Sequence, residues 1–499
     1  MSKKSYCYLF ATVMLGVFLR LYRFPQTLIL GTDQGGAYIL ADRIINQGHI
    51  LLVGPLTSLL QVNLLPPAFY YIVTFVYLLF RSEISVSLAF SFAGIVSVIL
   101  IYFLGKNIFN AKSGLISALT YAVSQSMVWY GRNMWEPHLV PFFVILSLLF
   151  LFKAKNQTKL IFLHLSLFFF FLSFLYVSSL LLLPVYYFCF AYFYKSVKSS
   201  VRWPYIKTVL LFLIYGGLVY LPVIIFEHTR SYPSLNYLFQ VLQGKTEYVS
   251  FQSPNYLTSV TTHIFLFINS IFINVNIFQS LIIFIIFIGL VSYITVKTKN
   301  NRFNLFVLLM FFIIAFLLSG LYSQKPSDYR LASLYPVFFL LIGAVTKAGN
   351  RTILFLIIFI IIALNIKSTL DSIRNLNLQN YLHAYRVATE ILIRSENQKF
   401  TIYTVKPFDF SNFHSTPYWW ALEKLTGKRL ITLNDRGNWI NQDLDLNSSL
   451  IYLICSDTEN KSSFQDKCLD YFASSYRLSD PVKYFSIDNA TVYEFQGIY

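Results

Sequence analysis

Few side chains in this sequence could do acid–base work. The first 370 residues hold seven carboxylates, Asp33, Asp42, Glu83, Glu136, Glu227, Glu247 and Asp328, and all seven fall between apolar runs rather than within them. Asp33 stands in Gly31-Thr32-Asp33-Gln34-Gly35-Gly36, a turn-rich segment whose glycines allow close backbone approach. Glu136 follows Arg132 in Arg132-Asn-Met-Trp-Glu136-Pro137, at the spacing of an i,i+4 ion pair. Glu227-His228 open a long stretch that reaches to about residue 276. Lys325, Asp328, Tyr329 and Arg330 cluster further on. An arginine fork suits bidentate contact with phosphate, although a cation at a helix end also snorkels to the interface. Glu136, His138 and His228 could hold zinc, but no spacing enforces it. No P-loop, GxGxxG, metalloprotease or serine-nucleophile motif stands out.

The elements that must position these groups are membrane helices. Of the 499 residues 56% are hydrophobic and only 12% charged, half the charge of an ordinary soluble domain. Apolar runs occupy approximately 5–24, 85–105, 113–130, 138–152, 160–176, 180–194, 208–226, 278–296, 304–321, 331–346 and 352–366, most of them long enough to cross a bilayer. A further run, Pro66–Phe80, opens Pro-Pro and is short, so it is expected to lie at the outer surface. Six inner segments then carry 16 Lys/Arg and no acid, the bias that sets orientation, with the N-terminus inside. The net charge of +17 is spread over these short loops, which argues against a nucleic-acid surface. The first helix continues to about Leu21 without a small-residue cleavage site and is expected to stay uncleaved.

The fold class expected is an α-helical polytopic membrane protein. It has about eleven transmembrane helices over 1–370, an outer loop at about 25–84 and another at about 227–276, and a small extracytoplasmic α/β domain over 371–499. Within that domain Tyr381–Asn397 and Tyr418–Leu425 read as helices. Phe400–Val405, Leu450–Cys455, Val482–Ile487 and Thr491–Phe495 read as strands. Tyr38–Gln47 reads as an amphipathic surface helix of the first loop. For Cys455 and Cys468 a bridge and two free thiols stay equally open; only an oxidising compartment would preserve the bridge. Asn447, Asn460 and Asn489 head glycosylation sequons of a kind that Asn-rich chains also produce by chance.

The helix ending Arg20-Leu-Tyr-Arg23, the acid soon after it, the surface helix and the segment Pro66-Pro67-Ala68-Phe69-Tyr70-Tyr71 resemble the GT-C membrane glycosyltransferases. In particular they resemble the protein O-mannosyltransferases and the lipid A aminoarabinose transferases. Arg132 to Pro137, Tyr329-Arg330 and Tyr335-Pro336 extend the resemblance over roughly 340 residues. It implies that Asp33 is the catalytic base, accepting the acceptor hydroxyl's proton, or positions the acceptor. It implies that Glu136 is a second acid binding acceptor groups or a divalent metal, and that Arg132 neutralises the lipid phosphate. Arg330 and Lys325 are further phosphate contacts; Gln34, Tyr329, Glu227 and His228 are candidate substrate contacts. Where many members have a second acid after the Asp this chain has Gln34, and Leu65 replaces the usual His or Lys before Pro-Pro, which weakens any inference of a metal. With no nucleotide-binding signature, the donor expected is a sugar on a polyprenyl phosphate, the acceptor a glycan, lipid or protein, and the location the plasma membrane. A transporter or flippase is the competing class. Carriers keep charged residues near the midplane and show internal repeats; here the spans hold no acid and no repeat is evident.

Overall fold

A computed structural model of the chain describes residues 3–55, 64–197, 204–242, 255–298, 301–321, 327–346, 351–375, 381–396, 398–405, 416–428, 430, 450–456, 468–469, 472, 481–487 and 490–496. Lys325, Glu247 and the three sequon asparagines lie outside them. In chain order the helices begin with α1 (Lys3–Leu21), α2 (Thr32–Gln47), α3 (Ala68–Phe80), α4 (Glu83–Ile108), α5 (Ala111–Val123) and α6 (Gln125–Arg132). There follow α7 (Glu136–Gln157), α8 (Leu160–Leu172), α9 (Leu183–Val197), α10 (Pro204–Thr229), α11 (Pro233–Leu242) and α12 (Tyr256–Phe272). The last six are α13 (Ile277–Lys297), α14 (Arg302–Ser319), α15 (Tyr335–Val345), α16 (Arg351–Asn375), α17 (Tyr381–Ser395) and α18 (Thr416–Thr426). Two compact units result, one of Met1–Tyr22, Leu51–Ile72 and Val86–Ser372, the other of Arg23–Ile50, Val73–Ser85 and Ile373–Tyr499.

The first unit is helical. Among the described residues of the chain, 7 helical stretches are long and apolar enough to cross a membrane, and Ser5–Leu21, Ala68–Phe80, Leu160–Leu175 and Tyr256–Phe272 are shorter apolar helices. With 13 residues α3 spans about 20 Å, short of the about 30 Å of a bilayer's hydrocarbon. Three departures from expectation matter. The run 113–130 is broken at Ser124, whose φ of −56° and ψ of 125° end α5 and start α6. The stretch after Glu227, expected to be a loop, holds α11 and the apolar α12. Residues 173–182 and 328–334 are 3₁₀ turns rather than regular helix, tied by the Ser333 hydroxyl donating to Ser178 O at 2.7 Å.

Two arginines hold the break. Arg20 is fully buried in α1; Nη1 donates to Ala122 O at 3.0 Å and Gly16 O at 3.2 Å, and Nη2 to Met127 O at 3.1 Å. Arg132 Nη1 donates to Leu19 O at 3.0 Å and Arg20 O at 2.9 Å, closing last-turn carbonyls of α1. Two glycines pack closely against Arg20: a Cβ on Gly131 would lie 2.8 Å from its Nε, and one on Gly94 3.0 Å from it.

In the second unit a four-stranded sheet is ordered β1-β2-β4-β3, with β1 (Phe400–Val405) parallel to β2 (Leu450–Ser456) and β3 (Lys483–Ile487) and β4 (Ala490–Gln496) forming an antiparallel hairpin. Period-2 alternation puts Ile451, Leu453 and Cys455 in one core with Phe472 and Phe495, and Cys455 is bridged to Cys468. On the other face Trp419 of α18 stacks on Phe400, which meets Tyr452. Every strand expected from the sequence is present. The same unit contains α2, which begins at Thr32 rather than Tyr38, so that the glycine-rich segment is its first turn.

Gly131→Ala should destabilise the protein by about 1–3 kcal/mol, the cost of overpacking a filled site, because the methyl meets the bonded Arg20 guanidinium. A thermal melt in detergent that matches wild type would remove Arg20 from its place as the anchor of the break.

Candidate active site

Asp33 is the second residue of α2 and the sole acid of its first turn, at the positive end of the helix dipole. Gly31 is the N-cap and has no side chain to offer. The capping contact comes instead from Gln34, whose Oε1 accepts the Gly31 N–H at 3.0 Å. The amide thus makes, through its oxygen, the capping contact that an acid at this position could also make. Asp33 is exposed, whereas Gln34 through Ala41 are buried. The Asp33 carboxylate therefore stands on a helix that is otherwise enclosed within its unit.

What encloses α2 is α18. Thr416 Oγ1 donates to Thr32 O at 2.8 Å, and a Cβ on Gly35 would lie 2.8 Å from Pro417 N. Further along, Arg43 Nη2 meets Glu423 Oε1 at 2.5 Å with both side chains buried, and Tyr38 stacks on Trp420 at 5.5 Å. Glu83, buried, accepts at Oε1 from Trp420 Nε1 at 2.8 Å and the Tyr385 hydroxyl at 2.9 Å; its carbonyl accepts from the Tyr38 hydroxyl at 3.1 Å. Lys424 lies over the Tyr77 and Trp420 rings and donates to the Tyr77 hydroxyl. Burial disfavours its ammonium, but Tyr77, Glu83 and Asp42 outweigh that and raise its pKa.

In the helical unit the structure gathers another group of the sequence candidates. The Trp135 ring meets Tyr329 at 4.7 Å, and Tyr329 meets Tyr176 at 5.8 Å, a half-buried aromatic rim. His138 stacks on Tyr130 at 4.4 Å, and its Nδ1 lies 2.7 Å from Asn133 O. Because a carbonyl only accepts, Nδ1 carries the proton and Nε2 is left as the acceptor. The buried Tyr130 hydroxyl has no hydrogen-bond partner among the described residues. Beside this rim run Asp328 and the buried Arg330, in the same 3₁₀ turn as Tyr329. Glu136 is buried in the first turn of α7, directly after Trp135. Such a rim can stack on a sugar's C–H face while Arg330 supplies positive charge.

Other candidates are engaged locally. Both oxygens of Glu227 accept from Ser234 N, and Oε2 also from Leu235 N, which caps α11. His228 Nδ1 lies 3.0 Å from the Tyr232 hydroxyl in the same turn. Among the described residues no three His, Cys, Asp or Glu side chains come together to hold a metal. Thr416, Glu423 and Tyr176 carry no motif signal in the sequence, and Glu83 stands there only as one of the seven carboxylates. Trp135 lay inside the Arg132–Pro137 motif, unremarked.

Residues 65–226 match the family described as dolichyl-phosphate-mannose-protein mannosyltransferase. No curated protein matches the chain by sequence. Among solved structures, ArnT from Cupriavidus metallidurans bound to undecaprenyl phosphate is similar with a TM-score of 0.65 at 11% identity, over 99% of this chain and 98% of that one. The oligosaccharyltransferase AglB from Archaeoglobus fulgidus, in complex with an inhibitory peptide and a dolichol-phosphate, is similar with a TM-score of 0.53 at 13% identity, over 98% and 74%. The chain therefore has the fold of the GT-C membrane glycosyltransferases, and its segment 65–226 carries the sequence pattern of the protein mannosyltransferases.

Proposed function

We propose that the protein is a glycosyltransferase that moves a sugar from a polyprenyl-phosphate donor to an acceptor hydroxyl at the outer membrane face, with inversion. The observation that carries this reading is the exposed Asp33 carboxylate on the first turn of an enclosed helix, in a chain of GT-C fold. The relatives bound to undecaprenyl phosphate and to dolichol-phosphate support a lipid-phosphate donor.

In the reaction the acceptor oxygen bonds to the anomeric carbon as the bond from that carbon to the phosphate oxygen breaks. Asp33 takes the hydroxyl proton, and the electron pair leaves on the lipid phosphate. Arg330 is the first candidate to neutralise that phosphate, with Lys325 beside it in sequence. Arg132 stands behind them, since its Nη1 already caps α1. Tyr329 and Trp135 suit the sugar face, and Glu136 suits polar groups of the acceptor or a divalent metal. Gln34 and Glu227 hold local backbone, and His228 meets the Tyr232 hydroxyl in its own turn; all three stay proposed substrate contacts.

The proposed topology keeps eleven crossings with the N-terminus inside and 371–499 outside. The helix α12 does not upset this parity. The Tyr256 hydroxyl at its start donates to Leu317 O near the end of α14, and Ile271 O at its other end accepts from Asn365, near the end of the apolar run 352–366 within α16. Under the eleven-crossing scheme both contacts lie at outer helix ends, so α12 lies along that face. The Cys455–Cys468 bridge supports an oxidising compartment for the domain.

In a chain with Cys7 and Cys189 replaced, single cysteines at positions 60 and 440 should both react with a membrane-impermeant maleimide on intact cells. Reaction from opposite sides would sink the topology and the face assigned to the chemistry. For the base, Asp33→Asn should lower transfer by about 10²–10⁴-fold with the protein still inserted and folded, since Asn caps a helix as well as Asp but accepts no proton. Glycan profiling of cells carrying only the variant reads the outcome; wild-type product would remove Asp33 from the mechanism and leave Glu136 next.

A further inference from the structure

We infer that α18, in the C-terminal part of the chain, is the positioning element of the Asp33 carboxylate, with Thr416, Pro417 and Glu423 as the residues that set it. The inference rests on the reading of Asp33 as the base. Three independent contacts carry it, all within one compact unit.

The first contact is at the reacting end. Thr416 Oγ1 donates to Thr32 O, the carbonyl of the peptide that joins Thr32 to Asp33. A peptide plane is rigid, so holding that oxygen restrains the Asp33 nitrogen and Cα, from which the side chain starts. The second is one residue further on. Gly35 packs so closely on α18 that an added Cβ would sit 2.8 Å from Pro417 N, 2.9 Å from Thr416 C and 3.0 Å from Pro417 Cα, all backbone atoms that cannot swing aside. The third lies two turns away and sets the angle of the helix. Arg43 bridges Asp42 at 2.9 Å and Glu423 at 2.5 Å, and Glu423 Oε1 also accepts from Leu430 N at 2.7 Å. Arg43 is therefore held by α18 and not by solvent.

A helix pinned at its first turn and again two turns later can neither slide nor rotate against α18. The Thr416 hydroxyl and the missing Cβ of Gly35 act at the turn that carries the carboxylate. A general base works only within hydrogen-bond reach of its proton, so displacing this turn should slow the transfer step and leave donor binding alone.

The test uses the full-length chain in a strain lacking its own copy. It reads the glycan product lost on deletion, protein level in the membrane, and the affinity of purified protein for undecaprenyl phosphate as the donor-site probe. Gly35→Ala and the isosteric Thr416→Val should each lower product about ten- to a hundredfold at unchanged protein level and unchanged affinity for the probe, and Thr416→Ser should restore product. Thr416→Val keeps shape and burial, so it decides the matter even where Gly35→Ala fails to accumulate. Full product from Thr416→Val, or Thr416→Ser as inactive as Thr416→Val, overturns the inference. So does a loss of probe affinity in step with product, because α18 would then be general scaffold. Asp33→Asn separates the two levels. If it is inactive while Thr416→Val is fully active, only the positioning role fails; if it is active, the base assignment fails and the positioning role with it.

Discussion

A guanidinium buried at the end of the first helix is the constraint on which the helical unit depends. A cation shut away from water is costly unless its donors are met, and Arg20 is met by neutral carbonyls alone among its described bonds. Regular helices have few carbonyls to give. In an unbroken helix Ala122 O would accept from Ser126 N; the break at Ser124 frees it for Arg20. The N-terminus of α6 exposed by the same break is met by Asn365, whose Oδ1 accepts from Gln125 N at 3.0 Å while its amide donates to Ile271 O at 2.7 Å. One buried charge thus requires a broken helix, and the broken helix brings Tyr130, Arg132 and the turn to Trp135 and Glu136 to their places.

The other unit solves the converse problem with a buried anion. Glu83 has an indole and a phenol as its donors, drawn from α18 and α17, and its own carbonyl takes the hydroxyl of Tyr38 from α2. Three elements, two of them some three hundred residues on, converge on one residue. Polar contacts of this kind specify register more sharply than apolar packing, because a shift of one residue would leave a buried charge unmet. The Arg43–Glu423 pair does the same between α2 and α18.

How much of this the sequence showed depended on whether the signal was local. Strands β1 to β4 and helices α17 and α18 were legible because alternation and apolar runs report directly on burial. The long spans were legible for the same reason. The break at Ser124 was not, since its cause is an arginine about a hundred residues away and the apolar run passes through it uninterrupted. The helix α12 was missed because Thr258, Ser259, Thr261, Thr262 and His263 dilute its hydropathy, although its apolar face is buried. The start of α2 was read too late because glycines at 35 and 36 look like a turn; the helix tolerates Gly35 there because Pro417 leaves no room for anything larger. Glu83 counted only as an outer acid, for its partners lie some three hundred residues on. Asp33, Glu136, Tyr329 and Arg330 were legible as chemistry-bearing types in motifs, but what holds them was not.

The amide at position 34 ties these threads together. A first turn with two adjacent carboxylates would couple their titrations, and the base would share its proton affinity with a neighbour. With Gln34 the helix still gains its N-terminal cap, through a neutral oxygen on the Gly31 N–H, and Asp33 remains the lone carboxylate of the turn. The cap also removes the need for a side chain at Gly31, where a Cβ would lie 2.8 Å from the Gln34 oxygen. In the proposed mechanism rigidity and reactivity are thereby divided: Gln34, Gly35 and Thr416 fix the backbone, and the exposed Asp33 is the proposed base. A base held by a buried helix, rather than carried on a free loop, keeps its distance to the substrate without having to be ordered again at each turnover.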